Sequence, residues 1–227
     1  MIECMFTQNR CMTTKKQAIT PVGIIVHSSG ANNPNLSRYV APSDNDPNYD
    51  YIRNIIGVNK YGNHHNRTAS SKALHYYVGK IKVGVVDVCH TLPHNVACWG
   101  CGEGKNGSYN YSPVGHIQIE VCEDDLSSAD YFNGIYEAVV KLCAKICIDE
   151  GLDETSIISH KEAHARGYAS NHRDIDHWLT KFGKNMNILR KDVEDEVKRN
   201  TKETVNIEGV ISINDKEYEF SGTAREC

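Results

Sequence analysis

No stretch of this 227-residue chain approaches the roughly 20 consecutive apolar residues that span a bilayer, so no integral membrane segment is expected. An excess of basic charge is also missing. The 25 Lys and Arg residues stand against 29 Asp and Glu, a net charge of −4, with no long basic run, which removes the electrostatic footprint of a nucleic-acid binder. The opening segment IECMFTQNRCMTTKK has no basic region followed by an apolar stretch, so synthesis and folding in the cytoplasm are expected. Internal repeats and low-complexity tracts are absent. The length suits one well-filled domain with some surplus.

Cysteine is plentiful, with nine residues, but the number is odd, the chain is large, and several cysteines occupy apolar positions of helical or strand patterns. That is not a disulfide framework of a small secreted domain, and most are read as reduced, buried small hydrophobes. Cys98-Trp99-Gly100-Cys101 has C-x-x-C spacing, yet no second pair accompanies it, so a structural reading is preferred. Cys122 shares a strand face with Glu120 and is flanked by acids that would raise its pKa, which argues against a thiol nucleophile.

Residues 22 to 29, VGIIVHSS, read as a buried strand that breaks at Gly30 and Asn32-Asn33-Pro34. Alternation puts Ile24 and Val26 on one face and Ile25 and His27 on the other, with the histidine at the carboxyl end, where ligands bind in open α/β sheets. A short helix around Tyr51, Ile52, Ile55 and Ile56 interrupts a long polar loop over 37 to 70. Leu74 to Lys80 and Val83 to His90 read as a hairpin, and the Gly-rich stretch 98 to 115 as loop. HIQIEV then alternates strictly, placing Ile117, Ile119 and Val121 opposite His116, Gln118 and Glu120.

Apolar residues at three- and four-residue steps predict a long helix from Ser127 to Glu150, with Ser127 and Asp130 resembling a capping box and Gly151 as C-cap. Met186, Leu189, Val193 and Val197 mark a second, more charged helix. After Asn200, two alternating segments flank Asn214-Asp215 and read as a hairpin. The expected organisation is therefore a catalytic domain over 1 to 200, then 201 to 227 as an appendage or the start of a truncated second module.

Three segments concentrate the chemistry: Val26-His27-Ser28-Ser29-Gly30, Ile117-Gln118-Ile119-Glu120, and Ile157-Ile158-Ser159-His160 followed by Ala169-Ser170-Asn171-His172-Arg173-Asp174 and His177-Trp178. In order and spacing they resemble the zinc N-acetylmuramoyl-L-alanine amidases of type 2, which share a fold with peptidoglycan recognition proteins, in the form found in phage endolysins of Gram-positive bacteria. The resemblance spans roughly Pro21 to Arg199. It implies an α/β fold, a central mixed β-sheet flanked by helices, with one Zn2+ per chain. It also implies hydrolysis of the amide between N-acetylmuramic acid and L-alanine in peptidoglycan.

Carried over residue by residue, the resemblance makes His27, His160 and Asp174 the zinc ligands. Two imidazoles and a carboxylate would leave a fourth position for water, the catalytic arrangement. Glu120 would be the general base, and His172, two residues before Asp174, the donor to the oxyanion. The alternative assignment, His172 as third ligand with Asp174 orienting an imidazole, stays open. His75 and Trp99 are the expected substrate contacts, although Leu74 stands where many members carry tyrosine and Ala97-Cys98-Trp99-Gly100 replaces a Trp-His pair. Tyr76 and Tyr77 are candidates for a hydroxyl in place of that tyrosine. The remaining histidines, His64, His65, His90, His94, His116, His164 and His177, read as structural.

The resemblance further implies an endolysin that acts on the wall after release, through a membrane lesion made by a separate pore-forming protein. The competing readings are a non-catalytic peptidoglycan-binding module of the same fold and a related hydrolase cutting another amide.

Overall fold

The computed structural model describes residues 1–201 and, beyond them, the backbone of 204–213 and 216–225. Its centre is a six-stranded mixed sheet of order β1-β4-β3-β5-β2-β6. The strands are β1 (Ile2–Glu3), β2 (Ile24–Ser28), β3 (Tyr76–Lys80), β4 (Val86–His90), β5 (Ile117–Val121) and β6 (Ile157–Ser159). Only the β3–β4 hairpin is antiparallel; the other pairs are parallel. The expected α/β fold with a central mixed sheet is what forms.

Alternation along the strands builds two different faces. Ile24 and Val26 of β2 with Ile117, Ile119 and Val121 of β5 pack on helix α3 (Ala129–Glu150), through Phe132, Ile135, Val139, Cys143 and Ile146. Leu189 and Val193 of helix α6 (Met186–Asn200) close the same layer. Each such buried aliphatic side chain contributes about 1.5–3 kcal/mol. The opposite face carries Leu74, Tyr77 and Cys122 under Ile52 and Ile56 of helix α2 (Tyr49–Ile56). Of the apolar cluster expected there, Tyr51 instead faces solvent. A four-residue helix α1 (Arg10–Thr13), not foreseen, packs Cys11 into the same layer.

The long helix begins one residue later than expected. Ser128, not Ser127, is the N-cap, its hydroxyl accepting from the Tyr131 N–H, whereas the Ser127 hydroxyl is diverted to Asp125 Oδ1 at 2.5 Å. Gly151 ends it in the left-handed conformation (φ +66°), as an αL C-cap requires. Two short helices, α4 (His160–Ala165) and α5 (Asp176–Lys181), carry the segments flanking Asp174. Among the described residues no helix is long and apolar enough to cross a membrane.

After α6, β7 (Thr204–Ile213) and β8 (Lys216–Arg225) pair antiparallel over their full length in a sheet of their own. The expected turn residues Asn214-Asp215 lie outside the described residues.

Candidate metal centre

Three adjacent parallel strands, β5, β2 and β6, end on the same side of the sheet and bring their carboxyl-terminal residues together. His27 is the penultimate residue of β2 and stands in register with Glu120, the penultimate residue of β5. His160 follows β6 directly as the first residue of α4. Its helix is started by a reciprocal capping box between Ser159 and Glu162. Glu162 is gripped by Arg190 of α6 through two bonds of 2.9 and 3.0 Å, so His160 sits on a braced helix end.

Asp174 comes from the turn between α4 and α5 and meets the two imidazoles. His27 Nδ1 and His160 Nδ1 are 3.0 Å apart, and each is 3.4 Å from Asp174 Oδ2. Donors on a tetrahedral zinc at about 2.0–2.2 Å stand roughly 3.3–3.6 Å from one another; the two 3.4 Å edges to Asp174 match that spacing, and the 3.0 Å edge between the imidazoles is a few tenths of an ångström shorter. Among the described residues, His27, His160 and Asp174 are the group of His, Cys and acidic side chains placed to share an ion.

Each imidazole is held from behind by its other nitrogen. His27 Nε2 lies 2.9 Å from Gln118 Oε1. The Gln118 amide is itself oriented, since its Nε2 donates to Asn110 Oδ1 at 2.9 Å while that oxygen also receives the Gly100 and Cys101 N–H groups. Gln118 therefore presents oxygen to His27, which puts the ring proton on Nε2 and leaves the Nδ1 lone pair facing Asp174. The arrangement requires glycine at position 100, where a Cβ would come within 2.2 Å of Gln118 Oε1. His160 Nε2 is 3.4 Å from the Ser170 hydroxyl, which donates to the Cys101 carbonyl.

Burial drives the His27 pKa down, and the neighbouring His160 adds to the effect. For Asp174, burial alone would raise the carboxyl, but the bonds from His160 and His27 outweigh it and hold the group well below the usual carboxylate range. The site thus favours a neutral His27 imidazole and an ionised Asp174 carboxylate, protonation states that suit a divalent cation. Glu120 behaves oppositely. Burial, reinforced by the charges of Asp174 and Glu123 and opposed by Lys72, pushes its pKa up to about 8, so this carboxylate has a high proton affinity.

These groups line a cleft of about 640 Å3. Trp99 forms part of its wall, with its indole N–H bonded to the Tyr111 hydroxyl and Lys15 Nζ 4.6 Å over its ring. His172 stands at the rim, 61% exposed, its ring stacked on His160 at 4.8 Å and its Nδ1 3.8 Å from Asp174 Oδ1. Of the two residues weighed for the third position, Asp174 is the one brought against both imidazoles.

His75 is a correction. Its ring is fully buried, with Nδ1 accepting the Gln118 N–H and Nε2 bonded to the Val96 carbonyl, each at 3.0 Å, so it cannot contact a ligand in the cleft. The two candidate hydroxyls from β3 are also engaged. The Tyr76 hydroxyl meets His94 at 2.6 Å, and the Tyr77 hydroxyl meets His65 and the Leu74 N–H. The cleft residues missed from sequence include Arg38, Tyr39, His65 and Lys72, supplied by the long loop before β3, where no periodicity fixes direction. Gln118 was also missed as a partner of His27, although it shares a strand face with Glu120. The eight described cysteines are free and buried, and burial, then Glu120, drives the Cys122 thiol far above its usual range, which removes it as a nucleophile.

The family model described as N-acetylmuramoyl-L-alanine amidase matches residues 17–176. Among solved structures, the PlyG catalytic domain superposes with a TM-score of 0.54 at 16% identity, covering 90% of this chain and 100% of that one. The Staphylococcus aureus hydrolase AmiA, solved with its ligand, gives 0.53 at 15% identity, covering 88% and 83%. The catalytic domain of XlyA gives 0.52 at 16% identity, covering 85% and 97%. No curated protein sequence matches. At these identities the structural likenesses establish the fold, while the sequence match extends over more than half of the chain and through most of the site. This chain therefore belongs to the N-acetylmuramoyl-L-alanine amidase family, enzymes that hydrolyse an amide of peptidoglycan.

Proposed function

We propose that the chain is a zinc-dependent hydrolase of the amide joining the lactyl group of N-acetylmuramic acid to the L-alanine of the stem peptide, with His27, His160 and Asp174 holding the ion. The observation that carries this reading is the triangle of two Nδ1 atoms and one carboxylate oxygen with edges of 3.0, 3.4 and 3.4 Å, opening on the same cleft as Glu120. When bound, zinc would polarise the scissile carbonyl and acidify a water molecule.

Glu120 takes the proton of the attacking water and returns it to the departing alanine nitrogen, a role suited to a carboxylate whose pKa is pushed up to about 8. His172 at the rim donates to the carbonyl oxygen as charge builds on it. Gln118 and Ser170 hold the two imidazoles in place, and Trp99 offers a flat wall to the substrate. Catalysis is assigned to residues 1–200, and residues 201–227 to an appendage or the start of a second module. The endolysin route to the wall, after passage through a lesion made by a pore-forming protein, belongs to the same proposal. The non-catalytic alternative is disfavoured by the convergence of His27, His160 and Asp174 on the cleft that Glu120 also lines.

Metal analysis of the purified protein should find one zinc per chain. Chelation should abolish release of new amino termini from cell walls, and added zinc should restore it. Activity that survives full removal of the metal, or release of reducing sugar ends in place of amino termini, would overturn the proposal.

A further inference from the structure

Asp174 differs from the two histidines in how it is held. His27 lies in a central strand and His160 on a braced helix end, but Asp174 sits in a turn with no regular hydrogen-bonding pattern of its own. Besides the two imidazoles, its carboxylate is met by the Ser28 backbone N–H at 3.4 Å. Something must fix that turn, because a displacement of about 1 Å would remove one corner of the donor triangle.

Behind the site lies a second carboxylate that the proposed reaction does not use. Glu123, just past the end of β5, is buried, and an ionised group there is tolerated only with partners. Its Oε1 meets two groups. One is the Ser28 hydroxyl, from the residue after His27 that also points its N–H at Asp174. The other is His177 Nε2 at 3.1 Å, from the first turn of α5 and three residues beyond Asp174. The other nitrogen of the same ring, Nδ1, is 3.4 Å from the carbonyl of Arg173, the residue before Asp174. Glu123 is in turn fixed to the strand end by its own backbone, whose N–H donates to the Ser29 hydroxyl and whose carbonyl receives the Asn33 N–H. One buried carboxylate therefore ties the end of β2 to both flanks of the Asp174 turn.

We infer that Glu123 and His177 form a positioning pair that holds Asp174 against the two imidazoles and so sets the affinity of the centre for zinc. The inference rests on the zinc reading above. Neither residue touches the ion or the substrate; they act on the ligand through the turn. Supports of this kind typically change metal affinity about 10- to 100-fold when removed.

The test is zinc affinity, measured by competition with a chromogenic chelator on metal-free full-length protein. It compares wild type with H177A, H177Q, E123Q and the E123Q/H177A double variant, each first shown to be folded by circular dichroism and its urea midpoint. H177A and E123Q should each weaken zinc binding about 10- to 100-fold. H177Q, whose amide nitrogen can replace Nε2, should regain most of the loss, and the double variant should bind no worse than the weaker single one. A role in stability alone would lower the urea midpoint and leave affinity within twofold of wild type, which overturns the inference. H177Q as weak as H177A also overturns it, since the polar contact with Glu123 would then not be the cause. Wild type that binds no zinc at all refutes the metal reading itself, which separates the two failures.

Discussion

Two clusters of histidine and carboxylate lie on opposite faces of the same sheet, and they differ in what their nitrogens face. On the α3 face, His94 is held between the Tyr76 hydroxyl and Glu150 Oε1, each at 2.6 Å. His90, stacked on Tyr76, is held between Glu3 and the Leu92 carbonyl, both at 2.9 Å. Every ring nitrogen there already has a partner, so the cluster is a closed clasp between β4, the following loop and the end of α3. In the cleft, the outer nitrogens of His27 and His160 are likewise held, but the inner two face each other and Asp174 across a shared point. Histidine count and proximity are nearly the same in both places. What separates a cation site from a clasp is whether the lone pairs converge or are consumed.

The largest effect that would break this comparison is loss of metal. H160A is expected to remove the bound zinc and all cell-wall hydrolysis, while H94A should keep one zinc per chain; a metal assay on both variants decides it. Zinc lost from H94A alone would invert the two assignments. Next in size is E120Q, expected to lower turnover by about 10²–10⁴-fold with zinc retained, because it removes the proton acceptor and leaves the donor triangle intact. Unchanged activity in E120Q would refute the Glu120 role. Third, H94A should cost about 1–3 kcal/mol of stability, the penalty for stranding the Tyr76 hydroxyl and Glu150, read from a urea midpoint on metal-free protein. No shift would mean that the clasp contributes nothing.

The strand-borne part of this site was legible in the sequence for a physical reason. Alternation with period two and a terminating Gly-Asn-Pro cluster placed His27 and Glu120 on one face at strand ends, and the parallel register then sets them opposite each other. The choice between His172 and Asp174 was not legible, because both lie in an irregular segment whose side-chain directions no repeat encodes; their positions depend on contacts to Ser28 and His160 more than 10 residues away. His75 was misplaced because alternation reports the face and not the depth. It lies on the face of Gln118 but is sealed beneath the Trp99 segment by bonds to residues 21 and 43 positions away. The helix cap was off by one because Ser127 and Ser128 are equally good caps in isolation, and Asp125 claims the first of them.

His75 sharpens the comparison further, since it lies 6.3 Å from His94 and belongs to neither cluster. Burial, with His94 adding to it, pushes its pKa down to about 3, against about 6.5 in the unfolded chain. Above pH 6.5 both states hold the ring neutral and the pair of pKa values has no effect. As pH falls from 6.5 towards 3, the unfolded chain binds a proton that the folded state refuses, so stability is lost through that window, by up to about 1.4 kcal/mol per pH unit. His65 and His116, each pushed down to about 4 mainly by burial, steepen the same slope. H75Q removes one titrating group while offering an amide to the Val96 carbonyl. Urea titrations of metal-free protein at pH 6.5 and 5.5 should therefore show a slope about 1 kcal/mol per unit shallower in H75Q than in wild type. Equal slopes would mean that the buried imidazole of His75 does not contribute to the acid sensitivity of this fold.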